Sequence, residues 1–115
     1  MIKRLGIGKR LSMATVHGGV VYLAGQVPDD PSASVEVQTS QVLAKIDALL
    51  AEAGTNKSSI LSANVWLPNI VDFATFNSVW DAWVPQGATP ARACVEARLA
   101  NPSYRVEIAV IAAIG

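Results

Sequence analysis

Residues 89–99 read TPARACVEARL, a stretch in which charged and small residues alternate. Successive side chains of a β-strand point to opposite faces of the sheet, with a period of two residues. One face then carries Arg92, Cys94, Glu96 and Arg98, and the other carries Ala93, Val95, Ala97 and Leu99. We expect the second, apolar face to lie in the core and the first, charged face to carry the chemistry of the protein.

Arg92 is the first charged residue of this strand. Pro90 biases Ala91 towards extended backbone, so Arg92 is expected at the start of the strand, near the rim of the sheet. Its guanidinium can bind a carboxylate through two parallel hydrogen bonds. Spacing alone also allows, and slightly favours, a structural ion pair with Glu96 or Glu107, because opposite charges often pair across strands.

Glu107 lies in a second alternating run, YRVEIAVIA at residues 104–112. One face of this run holds Val106, Ile108, Val110 and Ala112. The acid therefore stands among residues that favour burial, and burial raises the pKa of a carboxylate, which would make Glu107 a general base. The alternative is a carboxylate satisfied by Arg92, Arg98 or backbone amides.

The first half of the chain predicts a hairpin and a helix. Two extended segments, residues 11–17 and 20–24, flank the Gly18-Gly19 pair that forms a tight turn. Ser34 is the expected N-cap of the helix, whose apolar stripe ends just before Gly54. Residues 1–9 are either a short edge strand or a loose end.

The second half predicts a strand at residues 60–67 and then a second helix. In that strand Leu61 and the alternate residues after it form the apolar face. Asn69 and Asp72 resemble an N-cap pair before a helical stripe of aromatic residues: Phe73, Phe76, Trp80 and Trp83. With the two strands described above, the order is ββαβαββ. This order indicates a single α+β domain over residues 1–115, with both helices on one face of a sheet.

Composition excludes several classes of protein. Nine basic and nine acidic residues cancel, and no basic patch with interleaved aromatics is present, so nucleic acid is not an expected partner. A membrane span and a signal peptide are not expected either, so the protein should be cytoplasmic. Cys94 is the only cysteine, which prevents an intrachain disulfide and, with one histidine, a structural zinc site. Charged residues make up only 16% of the chain, which favours an oligomer.

Several further residues have a functional and a structural interpretation. Cys94 could be a nucleophile activated by Arg92, but a small residue that lines the site is the better interpretation. His17 beside the glycine turn is interpreted as a solvated histidine. Asn77, inside a helix, predicts a specific hydrogen bond. Gly25 either lets the backbone approach a ligand or another subunit, or simply ends a strand. The three tryptophans, Trp66, Trp80 and Trp83, are interpreted as core and interface.

Several segments together resemble the RidA/YjgF family of reactive-intermediate (enamine/imine) deaminases over roughly residues 10–114. They are AGQVP at 24–28, LAEAG at 50–54, ANVWL at 63–67, DFATFN at 72–77, PARACVE at 90–96 and VEI at 106–108. The PARACVE segment followed by VEI is the most specific of them.

The resemblance implies a chorismate-mutase-like fold that assembles as a homotrimer with a central barrel and clefts between subunits. It implies hydrolysis of 2-aminoacrylate-type enamines and other 2-imino acids to 2-keto acids and ammonia, without a metal or organic cofactor. Arg92 would bind the substrate carboxylate, and Glu107 would activate the attacking water. Gly25, Asn77 and Cys94 would line the cleft.

Three differences from the family pattern concern the pocket. Leu11 replaces a tyrosine that many members carry, Ala24 replaces a serine, and Ala109 replaces a second glutamate. The pocket is therefore expected to be more apolar, and a trimer that binds small carboxylates without catalysis, in a regulatory or chaperone-like role, is the alternative function. Arg10 is interpreted as a solvated arginine, with a second cation at the cleft mouth as the alternative. A ribonuclease activity ranks last, because a basic groove and a histidine-containing site are lacking.

Overall fold

The computed structural model describes all of residues 1–115 as six strands and two helices. The strands are β1 (Lys3–Ile7), β2 (Ser12–His17), β3 (Val20–Leu23), β4 (Ile60–Leu67), β5 (Ala91–Glu96) and β6 (Glu107–Ala113), and the helices are α1 (Val35–Glu52) and α2 (Phe73–Trp83). The predicted ββαβαββ order is confirmed, with β1 added before it. Residues 1–9 thus contain the edge strand that the sequence left as one of two possibilities.

The six strands form one mixed sheet in the order β1-β2-β3-β6-β4-β5. Only β4 and β5 run parallel; the other neighbours are antiparallel. Both helices cover the same face, and the core lies between them and the sheet. The molecule measures 41 × 38 × 20 Å, and 20 Å is the thickness of one helix layer on one sheet. The second face of the sheet, called here the open face, has no layer of the chain upon it.

The helix α1 begins and ends where its capping residues predict. The hydroxyl of Ser34 accepts a hydrogen bond from the Val37 amide at 3.2 Å, which satisfies one of the free N–H groups of the first turn. Gly54 follows the last turn with a φ of 87°, a conformation that costs glycine little. The apolar stripe of α1 is buried against the sheet and α2: Val42, Leu43, Ile46 and Leu50.

The helix α2 begins later than Asn69 because a short 3₁₀ turn, Ile70–Asp72, comes first. Asn69 caps that turn, accepting a hydrogen bond from the Val71 amide at 3.1 Å, and α2 itself has no side-chain cap. Phe76 and Trp80 of the predicted stripe are buried. Neither α1 nor α2 has the length and apolar content that crossing a membrane requires.

Two face assignments from the sequence are wrong. Leu61 is 51% exposed, because the pairing of β4 with β6 shifts between Ile60 and Ser62 and Ile60 takes the core position instead. In β5 the predicted alternation of side chains is correct, but the face predicted to lie in the core is the one that points away from the helices. Its charged side points to the helix layer, whereas the apolar side, including the half-exposed Val95, lies on the open face.

Candidate active site

Gly25 and Glu107 are in direct contact on the open face. Gly25 follows β3, where Gln26 continues the sheet by exchanging backbone hydrogen bonds of 2.8 and 3.1 Å with Ile108 of β6. A Cβ placed on Gly25 would overlap Oε2 of Glu107 and lie 3.0 Å from its Cδ. The lack of a side chain at residue 25 therefore makes room for the carboxylate. Neither approach of a ligand or another subunit nor a simple strand end, the two sequence interpretations of Gly25, is decided by this contact, which is with a side chain of the same chain.

The Glu107 carboxylate is half-buried and has no cation beside it. The only two ion pairs of the chain join Lys45 to Asp29 and Arg105 to Asp72. Burial raises the pKa of Glu107 above its ordinary value. Trp66 lies directly opposite Glu107 in the β4–β6 pairing, which places its indole on the same face as the carboxylate. The arrangement is that of a carboxylate available to accept a proton.

The Arg92 guanidinium lies on the helix side of the sheet against three aromatic rings of α2. Its central carbon is 5.1 Å from the ring centre of Trp80, 5.6 Å from that of Phe76 and 5.9 Å from that of Phe73. Arg92 belongs to neither of the two ion pairs. Glu96, one of its two predicted partners, instead accepts a hydrogen bond from the Ile70 amide at 3.0 Å. The structural ion pair is not formed, and the guanidinium is held by apolar rings.

Cys94 lies two residues along the same face of β5 and is half-buried. Burial raises the pKa of its thiol, and the smaller effect of the Arg92 charge opposes that shift without reversing it. The thiol is therefore protonated near neutral pH, whereas nucleophilic cysteines are thiolates. Its side chain is packed against the hydrophobic core.

Asn77 follows Phe76 in α2, beside the rings that contact Arg92. Its Oδ1 is buried and accepts no hydrogen bond, the only buried side-chain polar atom of the chain in that condition. The specific hydrogen bond predicted for Asn77 is not made within the chain. A buried acceptor without a donor is costly, so Asn77 is an atom for which a ligand or another molecule could supply the donor.

The predicted site residues thus form two clusters on opposite faces of the sheet. Gly25 and Glu107 are on the open face, whereas Arg92, Cys94 and Asn77 are on the helix side. In the strand pairing Arg92 is aligned with Ala63, which is buried under the helices, while Glu107 is aligned with Trp66 on the other face. β4 also lies between β5 and β6, so at the usual strand spacing the axes of β5 and β6 are roughly 10 Å apart.

Leu11 and Arg10 lie in the exposed turn between β1 and β2. The turn is closed by a hydrogen bond of 2.8 Å from the Gly8 amide to the Leu11 carbonyl, and Leu11 is 52% exposed. Arg10 forms no ion pair within the chain. In one copy of the chain, neither residue contacts the two clusters.

The largest depression of the surface is at neither cluster. It has a volume of about 440 Å³ and is lined in part by Asp72 and Arg105. One terminal nitrogen of Arg105 contacts both carboxylate oxygens of Asp72 at 3.0 Å, so these charges satisfy each other. Gln38, fully buried beneath, joins the loops on either side: it accepts from the Arg105 amide and donates to the carbonyls of Ser103 and Ala33. The polar groups of this region therefore hold the loops together, which is a structural role.

The aromatic rings under Arg92 are the feature that sequence reasoning missed. Phe73, Phe76 and Trp80 were interpreted as the apolar stripe of α2, which they are, but the stripe spacing does not reveal what lies against it. The signal that could have found them is the sequence order itself: an aromatic stripe in a helix is followed directly by a strand that carries a lone arginine, and arginine is the cation that aromatic faces most often bind.

Comparisons with known proteins agree with this fold. The family model described as Endoribonuclease L-PSP matches residues 1–114. A RutC family protein of Haemophilus ducreyi is 47% identical over 114 residues, which cover 99% of this chain and 97% of that protein. The RutC family protein YoaB of Escherichia coli is 44% identical over 113 residues, 98% of each chain. A crystal structure of a YjgF family member from Neisseria meningitidis has a TM-score of 0.97 at 46% identity, covering 100% of this chain and 96% of that one.

The chain is a small α+β protein with the chorismate-mutase-like fold, two helices on one face of a mixed sheet. It belongs to the RidA/YjgF family, which these names also call RutC. The resemblance identified from the PARACVE and VEI segments is thereby confirmed.

Proposed function

We propose that this protein is an enamine/imine deaminase that hydrolyses 2-imino acids to 2-keto acids and ammonia, in clefts between the subunits of a homotrimer. The observation that carries the proposal is the pair of unpartnered groups: a guanidinium on one face of the sheet and a carboxylate on the other. Two such groups can act on one small molecule only when the helix side of one copy meets the open face of another.

Arg92 would anchor the substrate carboxylate. It carries a charge that no acid of the chain neutralises, and its planar fork of N–H donors fits the two oxygens of a carboxylate. Holding the carboxylate fixes the neighbouring C2 atom, which is the carbon attacked by water. Fixed geometry of this kind lowers the barrier because the encounter of the reactants no longer has to be organised in the transition state.

Glu107 of a neighbouring copy would activate the water. With the pKa of Glu107 raised by burial, the ionised carboxylate is a stronger base than that of an ordinary glutamate. It accepts a proton as the water oxygen bonds to C2, and the electrons of the C=N bond move to nitrogen, to which Glu107 returns that proton to give a neutral carbinolamine. Glu107 next takes the proton of the C2 hydroxyl and passes it to the nitrogen. The C–N bond then breaks, ammonia leaves, and C2 becomes the keto carbon.

The remaining predicted residues would complete the cleft wall. Gly25 would leave room for the Glu107 carboxylate at the cleft wall, a role that its contact with the carboxylate supports. The unpaired Oδ1 of Asn77 is an acceptor that can take an N–H of the imine or of the departing ammonia. Cys94, as a protonated thiol, would contribute surface and backbone groups only.

The open face supports the assembly. It carries Tyr22, Trp66, Val95 and Ile111 besides Glu107. Tyr22 is 45% exposed and Val95 is 50% exposed, which leaves apolar surface uncovered in one copy. A neighbouring copy whose helix side meets this face would hide that surface and bring its Arg92 towards Glu107.

The experiment generates the unstable substrate in place. A pyridoxal-phosphate enzyme or an amino-acid oxidase produces 2-aminoacrylate or another 2-imino acid, and the appearance of 2-keto acid is followed with and without the protein. We expect acceleration over buffer by the native chain and none by Arg92→Ala, with Arg98→Ala as the matched control. Light scattering checks that each variant has the same mass. No acceleration by the native trimer would reject the deaminase proposal.

The second candidate is a trimer that binds small carboxylates without catalysis, in a regulatory or chaperone-like role. The specific observation in its favour is Leu11, since the exposed turn carries an alkyl group where many members of the family have a phenol. It predicts that 2-oxobutanoate binds through Arg92 while imine decay stays at the buffer rate. A ribonuclease activity, as in the description of the family model, has less support: the net charge is zero and His17 is exposed at the hairpin turn.

A further inference from the structure

The rings of Phe73, Phe76 and Trp80 form a continuous surface under Arg92, called here the aromatic platform. We propose that the aromatic platform is a positioning device: it holds the Arg92 guanidinium through cation–π contacts so that its N–H edge is presented to a carboxylate ligand. The inference rests on the proposed role of Arg92 as a carboxylate anchor and adds three positioning residues to it.

The first argument is geometric. Residues 73, 76 and 80 are spaced by three and four, so their side chains share one face of α2. All three ring centres lie between 5.1 and 5.9 Å from the guanidinium carbon, within the range in which a cation is attracted by an aromatic face. The buried part of the platform is tightly packed, since Phe76 is fully buried and its ring centre is 6.0 Å from that of Trp80.

The second argument is electrostatic. A half-buried guanidinium needs a partner, and a carboxylate partner would compete with the substrate for the same N–H donors. Aromatic rings stabilise the cation through its charge and flat face and accept few or none of its in-plane hydrogen bonds. Arg92 has no ion-pair partner in the chain. Glu96, four residues further along β5 and on the same face, accepts a hydrogen bond from the Ile70 amide. The platform thus stabilises the charge while leaving the donors available.

The same helix provides a matched control. Trp83 is the next aromatic residue of α2, and its ring centre is 5.4 Å from that of Trp80. Its own contacts are with other groups: Lys57 lies 5.2 Å above its ring, and its indole N–H donates to Asp47 at 2.9 Å. Replacing this ring by leucine removes more volume from the same helix than Phe73→Leu does, without removing a ring from Arg92.

The test centres on Phe73, because this residue is 39% exposed and its replacement should leave the fold intact. Phe73→Leu removes the ring and keeps an apolar side chain, Phe73→Tyr keeps the ring, and Trp83→Leu is the control. Trp80→Leu is measured as well. Binding of 2-oxobutanoate is followed by calorimetry, and deamination of a 2-imino acid gives KM and kcat for each variant.

We expect Phe73→Leu to raise the Kd for 2-oxobutanoate and KM by about 3- to 10-fold, with kcat changed much less, because one of three cation–π contacts is lost. Phe73→Tyr should restore the native values, and Trp83→Leu should leave them within about twofold. If Phe73→Tyr is as impaired as Phe73→Leu, or if Trp83→Leu matches Phe73→Leu, the aromatic platform is rejected.

A spectroscopic measurement tests the platform without activity. Ring currents should shift the side-chain protons of Arg92 upfield in the native protein, with the signals identified by their loss in Arg92→Ala. Phe73→Leu should reduce that shift, whereas Phe73→Tyr and Trp83→Leu should not. Signals of Arg92 at the positions of a solvated arginine would overturn the platform. Failure of the deaminase assay with native Arg92 shifts intact would instead reject only the proposed function.

Discussion

Arg92 and Glu107 lie on opposite faces of one sheet, on strands separated by β4. The two groups therefore cannot act together within one copy of the chain. If the proposed function is correct, every active site takes Arg92 from one subunit and Glu107 from its neighbour. This requirement separates the proposal from any mechanism in which one subunit holds a complete site.

The first prediction is complementation between two inactive variants. Arg92→Ala and Glu107→Gln should each be inactive, and unfolding and refolding an equimolar mixture should restore activity. In randomly mixed trimers a site is complete when one subunit supplies Arg92 and the next supplies Glu107, which occurs in about one quarter of sites. Imine hydrolysis by the mixture measures this, with each variant refolded alone as the control. A mixture as inactive as its components would contradict a shared site.

The second prediction concerns the contact of Gly25 with Glu107. Gly25→Ala should lower the rate by on the order of 100-fold, because the new methyl group must displace the carboxylate that accepts the proton. It should also destabilise the protein by about 1–3 kcal/mol through overpacking. Thermal denaturation and the imine assay measure the two effects.

A double-mutant cycle makes this second test specific. Gly25→Ala in a Glu107→Ala background should cost much less stability, since the atoms that clash are gone. An equal cost in both backgrounds would mean that the glycine is required for backbone reasons unrelated to the carboxylate.

The sequence predicted the order of the elements well because the signals are local. Ser34 and Gly54 delimit α1 through capping chemistry that needs no knowledge of the rest of the chain. The Gly18-Gly19 turn fixes the register of β2 with β3 for the same reason, and both glycines have a positive φ.

The faces of β5 were not predictable in this way. Alternation shows that Arg92 and Val95 point in opposite directions, but which face the helices cover is decided by tertiary packing. The assumption that apolar means buried failed because Arg92 places its stem and cation on aromatic rings, whereas Val95 lies on the uncovered face. The same limit explains Leu61, which a shift in strand pairing moves out of the core.

The third prediction is that Cys94 does not act as a nucleophile. Cys94→Ser should change the rate of imine hydrolysis by no more than about tenfold, because the raised pKa keeps the thiol protonated near neutral pH. Mass spectrometry of the native protein during turnover should find no adduct on the thiol. A loss as large as that of Arg92→Ala, together with a trapped adduct, would restore the nucleophile interpretation.

The fourth prediction is the pH dependence that Glu107 confers. Its folded-state pKa is raised above the unfolded value, so the folded protein binds more protons than the unfolded one between those two pKa values. The contribution of Glu107 to stability is therefore fully present below its unfolded pKa and is lost as the pH rises through the raised folded pKa. Glu107→Gln removes this dependence. The melting temperature of the variant, relative to that of the native protein, should therefore rise as the pH increases across this range.

The rate of imine hydrolysis should depend on the same ionisation of Glu107, but it requires the ionised form, whereas stability is favoured by the protonated form. The Glu107 carboxylate must be ionised to accept a proton, so kcat/KM should fall as the pH drops through its raised pKa, at a higher pH than for an ordinary glutamate. Buffer-catalysed imine decay at each pH is subtracted. A Trp66→Ala variant should move this acid limb to lower pH, because removing the indole opposite Glu107 admits water to the carboxylate. An acid limb that stays in place in that variant would show that Trp66 does not cause the raised pKa.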